Sequence, residues 1–235
     1  MRGCLFVLVL AAAVLGSAAW FGAPLLASAA VSAALQNGGY HAASSTVTAS
    51  ADPPPRLLIG HADRIEIVGT DVSFRTFRAA SLDLVLTDVD LVGRTAGTIS
   101  GRIGGAAMTT ADGTPAAADV EIDGNAGAAR AAIVVDAATV DRVVKATFRQ
   151  RFGVSVAGTR LVAPDTLRIS ATGATVEGRL TIAADGALAI STALGSAPIL
   201  SLDPSFPLRL TGVGVADGNL RIDGTLDAEA LLGGS

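Results

Sequence analysis

The chain has 235 residues, half of them hydrophobic but only 4% aromatic, so its apolar surface comes from many small aliphatic side chains. This length suits one domain, or two small ones, behind a targeting segment. A net charge of −4 and a pI near 5.1 argue against general nucleic-acid binding, which needs a basic surface. The single cysteine, Cys4, lies in the first apolar stretch. The rest of the chain therefore has no disulfide, no thiol catalyst and no cysteine-based zinc site.

The amino-terminal segment predicts export from the cytoplasm. No charged side chain occurs between Gly3 and Ala51, and Arg2 is the only charged side chain before them. Residues 3–21 are nearly all apolar, which is long enough to cross a bilayer as a helix with the amino terminus inside. The same run is typical of a signal peptide, with small residues at 17–19 as a cleavage site. Residues 1–23 are therefore a signal peptide or a signal anchor, and both interpretations place the rest outside the cytoplasm.

The next segment predicts a second helix and a linker before one α+β domain, which we assign to residues 24–235. Pro24 is typical of a first helical turn, and this helix would run to about Leu35. The run Asn37-Gly38-Gly39 would end it, because both residue types tolerate a left-handed backbone. Residues 40–55, rich in Ser, Thr, Ala and Pro, predict an extended segment or linker.

From Arg56 onward, apolar and polar residues alternate with the period of two that indicates β-strands. In the segment "SLDLVLTDVDLVG" the apolar parity changes between Leu86 and Val89, which predicts a bulge near Thr87-Asp88 that keeps both halves facing one core. The glycine-rich run 101–105 is interpreted as the end of a strand. The other predicted strands are 64–72, 120–122, 131–135, 167–170, 176–182, 188–191, 208–215 and 220–226.

Five Asp-Gly pairs follow or interrupt these strands, at 112–113, 123–124, 185–186, 217–218 and 223–224, and this dipeptide favours tight hairpins. A two-residue turn at 217–218 would pair Val215 with Leu220 on one face. At 185–186 a two-residue turn would separate the apolar faces of the two strands. A three-residue loop at 184–186 with a glycine bulge would put them on one face, so we expect different turns at the two sites.

One helix interrupts the strands, in the segment 136–153. Asp136 is a suitable N-cap, and Gly153 is suitable for the position just after the end. Four apolar residues recur at helical spacing and predict the buried face: Val140, Val143, Val144 and Phe148. Arg142, Lys145 and Arg149 fall on the other side, where they would either meet anionic lipid headgroups or form an ordinary charged outer face. The predicted fold is α+β, a long curved antiparallel sheet packed on one or two helices.

No motif for chemistry emerges from the sequence. His41 and His61 have no partner at metal-ligand spacing, and no nucleophile elbow, phosphate-binding loop or dinucleotide fingerprint occurs. The acidic pairs Asp88 with Asp90 and Asp63 with Glu66 lie on polar strand faces and turns, where solvated carboxylates are the ordinary case. We therefore predict no catalytic residue, no metal and no cofactor.

Four segments together resemble the LmeA-like phospholipid-binding proteins of actinobacteria and related bacteria. They are "PPPRLLIGHADRIEIVGTDV", "SLDLVLTDVDL", "RFGVSVAGTRLVAPDTLRIS" and "FPLRLTGVGVADGNLRIDG", and the likeness covers about residue 24 to the end. The resemblance implies an exported cell-envelope protein with a curved sheet around helix, similar to tubular lipid-binding domains. It implies phospholipid binding and no catalytic motif.

An aliphatic slot on the concave side of such a sheet would bind acyl chains without special residue types, because this attraction scales with apolar area. The candidate lining residues are the largest apolar groups in a chain that has few, and core packing is the alternative role for each of them: Leu57, Leu58, Phe74, Phe77, Phe148, Phe152 and Phe206. The expected partner is a phospholipid or a membrane, with no nucleic acid. The alternatives are a membrane-anchored structural or interaction protein with a closed core and, last, an enzyme with dispersed carboxylates.

Overall fold

Two antiparallel sheets and two long helices form the protein in a computed structural model, which describes residues 2–74, 77–110, 115–171, 174–200 and 208–227. Its side chains are described from Trp20 onward. The helices are α1 (Arg2–Asn37) and α2 (Ala137–Phe152), with short 3-10 helices at Pro54–Ile59 and Ala126–Ala128. The strands are β1 (Tyr40–His41), β2 (Ser44–Ser50), β3 (His61–Phe74), β4 (Phe77–Asp90), β5 (Thr98–Thr109), β6 (Pro115–Asn125), β7 (Ala129–Val135), β8 (Val156–Val162), β9 (Thr166–Ala171), β10 (Ala174–Ile182), β11 (Leu188–Thr192), β12 (Gly195–Leu200), β13 (Leu208–Ala216) and β14 (Asn219–Leu226).

The larger sheet has the order β1-β3-β4-β5-β6-β7-β14-β13, with β2 also paired to β3, and the smaller sheet has the order β12-β11-β10-β9-β8. In the described part of the chain, two backbone contacts join them. Thr110, just after β5, bridges to Leu200 at the end of β12. The Val215 N–H of β13 donates to the Pro164 carbonyl in the β8–β9 turn, at 2.7 Å. The sheets therefore meet at one end of the larger sheet, and the α+β class is confirmed.

Helix α2 has the predicted limits and the predicted buried face. The Asp136 carboxylate accepts from the Thr139 backbone N–H at 2.8 Å, and Gly153 ends the helix with φ 65°. The Thr139 hydroxyl also donates to this carboxylate. Its hydrogen bond is the main cause that lowers the pKa of Asp136, and the bond from the Thr139 N–H is the next. Val140, Val143, Val144 and Phe148 are all buried. The helix contacts both edge strands of the smaller sheet, β8 and β12, so that this sheet curves around it.

Asp141 attaches α2 to strand β8. Its carboxylate accepts from the Thr159 N–H at 2.8 Å and the Thr159 hydroxyl at 3.0 Å, and it pairs with Lys145 at 2.6 Å. Burial raises the pKa of Asp141, but the bonds from Lys145 and Thr159 outweigh burial and lower it overall. The carboxylate is thus held ionised between helix and sheet.

The prediction of two separate amino-terminal helices is wrong, because α1 continues from Arg2 to Asn37 with Pro24 inside it. Alanine and leucine, both strong helix formers, surround the proline and outweigh its single missing donor. Ala23, Ala27 and Val31 are buried on one side of α1. Along the same helix the Ser28 hydroxyl accepts from the Ala49 N–H at 2.9 Å, which fixes α1 on β2.

Of the two alternatives for residues 40–55, the extended segment is confirmed and the linker is wrong, since the segment contains β1, β2 and the first residues of a 3-10 helix. Ser44 to Ser50 pair residue by residue with Thr70 to Arg64 of β3. The β-branched residues Thr46, Val47 and Thr48 fit a pleated strand well. The Ser- and Thr-rich composition therefore did not indicate that this segment is a strand, β2, which pairs with β3.

The parity change in β4 is real, but no bulge produces it. Leu86 and Val89 are both buried, while Asp88 between them has φ 50°. Thr87 pairs with Thr98, and Asp90 pairs with Thr95. The two pairs are three positions apart on each side, so no extra residue is inserted between them. A left-handed backbone at Asp88, which aspartate tolerates better than most residues, turns the strand instead.

The predicted strands are all present, and besides β1 and β2 the structure adds β5, β8 and β12. The run 101–105 lies inside β5 and does not end it, which corrects the prediction. A Cβ on Gly101 would lie 2.0 Å from the Asp83 carbonyl oxygen, so glycine permits the close approach of β4.

Of the four Asp-Gly pairs among the described residues, two form hairpin turns. Val215 pairs with Leu220 across the 217–218 turn, and the three-residue loop at 184–186 places Ile182 opposite Leu188, as predicted. The pairs at 123–124 and 223–224 lie inside β6 and β14, against the expectation. β6 and β14 each pair with a strand on both sides. Pairing with these neighbouring strands overrides the turn preference of the two Asp-Gly pairs. The pair at 112–113 lies outside the described residues.

Phe148 is the largest side chain that is fully buried, and it tests the packing of α2. Replacing Phe148 with Ala should lower the free energy of unfolding by about 3–5 kcal/mol, because it leaves a cavity under the helix. Chemical denaturation measures this loss. Phe152→Ala, at a partly exposed position on the same helix, is the control and should cost less. A Phe148→Ala loss below about 1 kcal/mol would show that the ring is not buried.

Candidate functional site

The candidate site is an apolar cavity where α2 packs against the joined ends of the two sheets. Its volume is about 30 Å³. This is room for about one or two water molecules and is far too small for an acyl chain. Ten of the twelve lining side chains are apolar or alanine and two are threonines: Met108, Thr110, Ala116, Val135, Thr139, Val140, Val143, Leu188, Ile199, Leu200, Leu220 and Ile222.

Three sides of this cavity come from elements that the sequence pattern predicted. Val140 and Val143 face it from α2, Leu220 and Ile222 from the last hairpin, and Leu188 from the smaller sheet. The Thr139 hydroxyl is already used, because it donates to the Asp136 carboxylate at 2.7 Å. The cavity can therefore hold a nonpolar group and offers it no charge.

The cavity belongs to a larger apolar interior. One contiguous cluster of buried side chains extends from α2 and the smaller sheet, along the larger sheet, to the buried side of α1. Its members are mostly Ala, Val, Ile and Leu, as the composition predicted. The interior thus has the smooth aliphatic character expected of a surface for acyl chains, but it is closed by its own side chains.

The predicted lining residues near the proline-rich segment divide between interior and surface. Leu57 is 5% exposed and belongs to the core, whereas Leu58 is 53% exposed. Phe74 and Phe77 face each other across the β3–β4 hairpin, and both are partly buried. These four residues do not meet at the cavity beside α2.

The two predicted lining residues on α2, Phe148 and Phe152, contact each other but do not line the cavity. The ring centroids of Phe148 and Phe152 are 5.1 Å apart, in a tilted arrangement. Phe148 is fully buried, and Phe152 packs against the core from a partly exposed position. Phe206 lies outside the described residues. Whether any of the seven residues contacts lipid stays a prediction.

The predicted headgroup residues lie on the outer side of α2. Arg142 and Arg149 are exposed, and Lys145 is partly exposed and paired with Asp141 of its own helix. The three side chains point away from the core-facing valines. A role in headgroup binding stays a prediction and would place the polar end of a lipid outside the helix.

Sequence reasoning missed several lining residues, above all Met108, Ile199 and Leu200. They come from the ends of β5 and β12, which the Thr110–Leu200 bridge brings together. Alternation in each segment could have marked them as apolar strand positions. Nothing local in the sequence pairs two segments about 90 residues apart, which is the long-range information that periodicity lacks.

The acidic pairs have structural roles. Asp63 accepts from the Asp52 N–H at 2.6 Å and pairs with Arg56 at 2.8 Å. Asp90 accepts from the N–H groups of Gly93 at 2.8 Å and Val92 at 2.9 Å, and these bonds lower its pKa. Among the described residues, no three His, Cys, Asp or Glu side chains lie where they could hold a metal ion.

One polar group in the interior has no assigned partner. The Thr147 side chain of α2 is 2% exposed, and its hydroxyl makes no hydrogen bond within the described part of the chain. A buried hydroxyl without a partner destabilises a protein, because its bonds to water are not replaced.

The fold and interior define a class: α+β proteins whose curved sheets enclose an aliphatic interior with few polar groups. The family model described as LmeA-like phospholipid-binding matches residues 18–225, from α1 to β14. The chain belongs to this family, as the resemblance indicated. Searches among curated proteins and among solved structures found no significant match. Where its side chains are described, the chain has no helix that is long and apolar enough to cross a membrane.

The Thr147 hydroxyl generates a prediction about stability. Thr147→Val keeps the shape of the side chain and removes the unpartnered hydroxyl, so the free energy of unfolding should rise by about 1 kcal/mol. Thr139→Val is the matched control on the same helix, and it should lower stability, because its hydroxyl donates to Asp136. Thermal and chemical denaturation measure both changes. A destabilised Thr147→Val variant would mean that the hydroxyl has a partner.

Proposed function

We propose that the protein binds a phospholipid by its acyl chains within the apolar interior beside α2, and that it performs no reaction on it. The observation that carries the proposal is the aliphatic interior with a cavity between α2 and both sheets, in a chain of the LmeA-like phospholipid-binding family. Apolar contact is non-directional, so it needs neither a motif nor a charged ligand.

The cavity must enlarge to admit an acyl chain. The sheets are joined at this end by the Thr110–Leu200 bridge and by the Val215–Pro164 hydrogen bond. Between the described residues, these two contacts oppose a separation of the sheets, whereas the pairing inside each sheet is continuous. We expect acyl chains to enter between these edges and to displace the side chains of α2 and β12 from one another.

Met108 offers a direct test of this site. It lines the cavity and is only partly buried, so Met108→Glu should fold but place a charge against the acyl chains, which is costly to desolvate. We expect phospholipid per protein, measured by mass spectrometry of the purified protein, to fall to near zero. The melting temperature monitors folding.

Leu194→Glu is the control, because Leu194 is 53% exposed in the β11–β12 turn and does not line the cavity. It should keep its lipid. Normal lipid loading of Met108→Glu would place the lipid elsewhere. Wild-type protein without any phospholipid would favour the alternative, a structural or interaction protein with a closed core.

The proposal includes export to the cell envelope. The support is the charge-free run between Arg2 and Asp52, whose first part is apolar enough to act as a signal peptide or an anchor. A reporter that is active only outside the cytoplasm, fused after residue 55, should be active. Activity of a cytoplasm-only reporter at the same position would contradict export.

A further inference from the structure

Exposed apolar side chains of three elements gather at one end of the larger sheet. They are Phe21, Leu25 and Leu26 of α1, Leu58 and Ile59 of the 3-10 helix at 54–59, and Val92 of the β4–β5 turn, and each is at least 53% exposed. We call these six residues the apolar end surface. Isolated exposed leucines are common, but a group from three elements marks an interaction site.

Contacts place the 3-10 helix beside the β4–β5 turn. The Leu91 N–H donates to the Gly60 carbonyl at 2.8 Å. A Cβ on Gly60 would lie 2.6 Å from the Val92 side chain, so Val92 covers this glycine. Ile59 precedes Gly60 directly, and the exposed Ile59 and Val92 side chains therefore adjoin.

Helix α1 reaches the same end. Ser28 bonds to Ala49 near the end of β2, while a Cβ on Gly38 would contact the Phe74 ring at the other end of β3. The helix therefore runs antiparallel to β2. Phe21 precedes Ser28 by seven residues, about 10 Å of helix, and lies toward the 3-10 helix that α1 contacts.

The occupant that these observations favour is a lipid bilayer. The apolar run 3–21 leads directly into this part of α1, so that as a signal anchor it would hold this end of the domain at the bilayer. Residues 52–66 and 88–94 together contain three arginines and five acidic residues, so attraction to anionic lipid does not hold this end. The contact would instead come from apolar side chains placed among the headgroups.

We propose that the apolar end surface docks on the membrane and directs the domain's other end, with the smaller sheet, away from it. The proposal rests on the proposed function, since it gives the lipid-binding protein its orientation on the bilayer that supplies its ligand. The cavity beside α2 lies at the far end of the larger sheet from this surface, where Thr110 meets Leu200.

The test uses the full chain with Cys4→Ser in phosphatidylcholine vesicles. Three variants, Leu58→Cys, Ile59→Cys and Leu194→Cys, each carry an environment-sensitive fluorophore on the new thiol. Leu58 and Leu194 are equally exposed, at 53%, and Leu194 lies on the smaller sheet. Labels at Leu58 and Ile59 should be quenched by spin-labelled lipid and protected from aqueous iodide. The Leu194 label should be quenched by iodide alone, and high salt should not change this pattern.

Three outcomes would overturn the proposal. The first is equal access of iodide to the labels at positions 58 and 194, and the second is quenching by lipid of the label at position 194 alone. The third is protection of the label at position 58 from iodide without quenching by lipid, which would indicate a protein partner or a second copy. Phospholipid bound per protein is measured in the same samples. Absent lipid would refute the proposed function, whereas bound lipid with an unquenched Leu58 label would refute the docking alone.

Discussion

The burial of small aliphatic side chains is the constraint on which this structure depends. With 4% aromatic residues, each buried side chain removes little area from water, so many must be buried together. Strands of 14 residues and a second sheet curved around α2 supply that number. Phe148 is a larger buried side chain. It belongs to α2, which contacts both edge strands of the smaller sheet.

Curvature follows from single backbone positions within long strands. Asp71 and Asp88 have φ near 50°, and at each the buried side of the strand changes parity while the pairing register continues. Gly105, with φ 60°, adjoins a shift of register between β5 and β6. These positions turn the strands so that residues on both sides of a turn face one core. A flat sheet of this length would leave one part of its apolar face in water.

Local pattern predicted most of the fold because most of it is locally determined. The loop at 184–186 was found by requiring one apolar face, and α2 by its cap, its period and its final glycine. Thr46 and its neighbours were missed because their partner strand, and not their own pattern, makes them a strand. The cavity could not be predicted for the same reason, since Met108 and Leu200 meet through a long-range bridge. The exposed position of Leu58 likewise depends on how α1 and the 3-10 helix pack.

A closed aliphatic interior is compatible with reversible binding of acyl chains. When a chain enters, contacts among Val, Ile and Leu side chains are replaced by contacts of the same kind with methylene groups. The apolar area hidden from water changes little within the protein, while the acyl chain gains its own burial. The free-energy difference between the closed and the filled state is then small and does not depend on any one residue. This explains why a family named for phospholipid binding can match a chain in which no residue pattern marks the ligand.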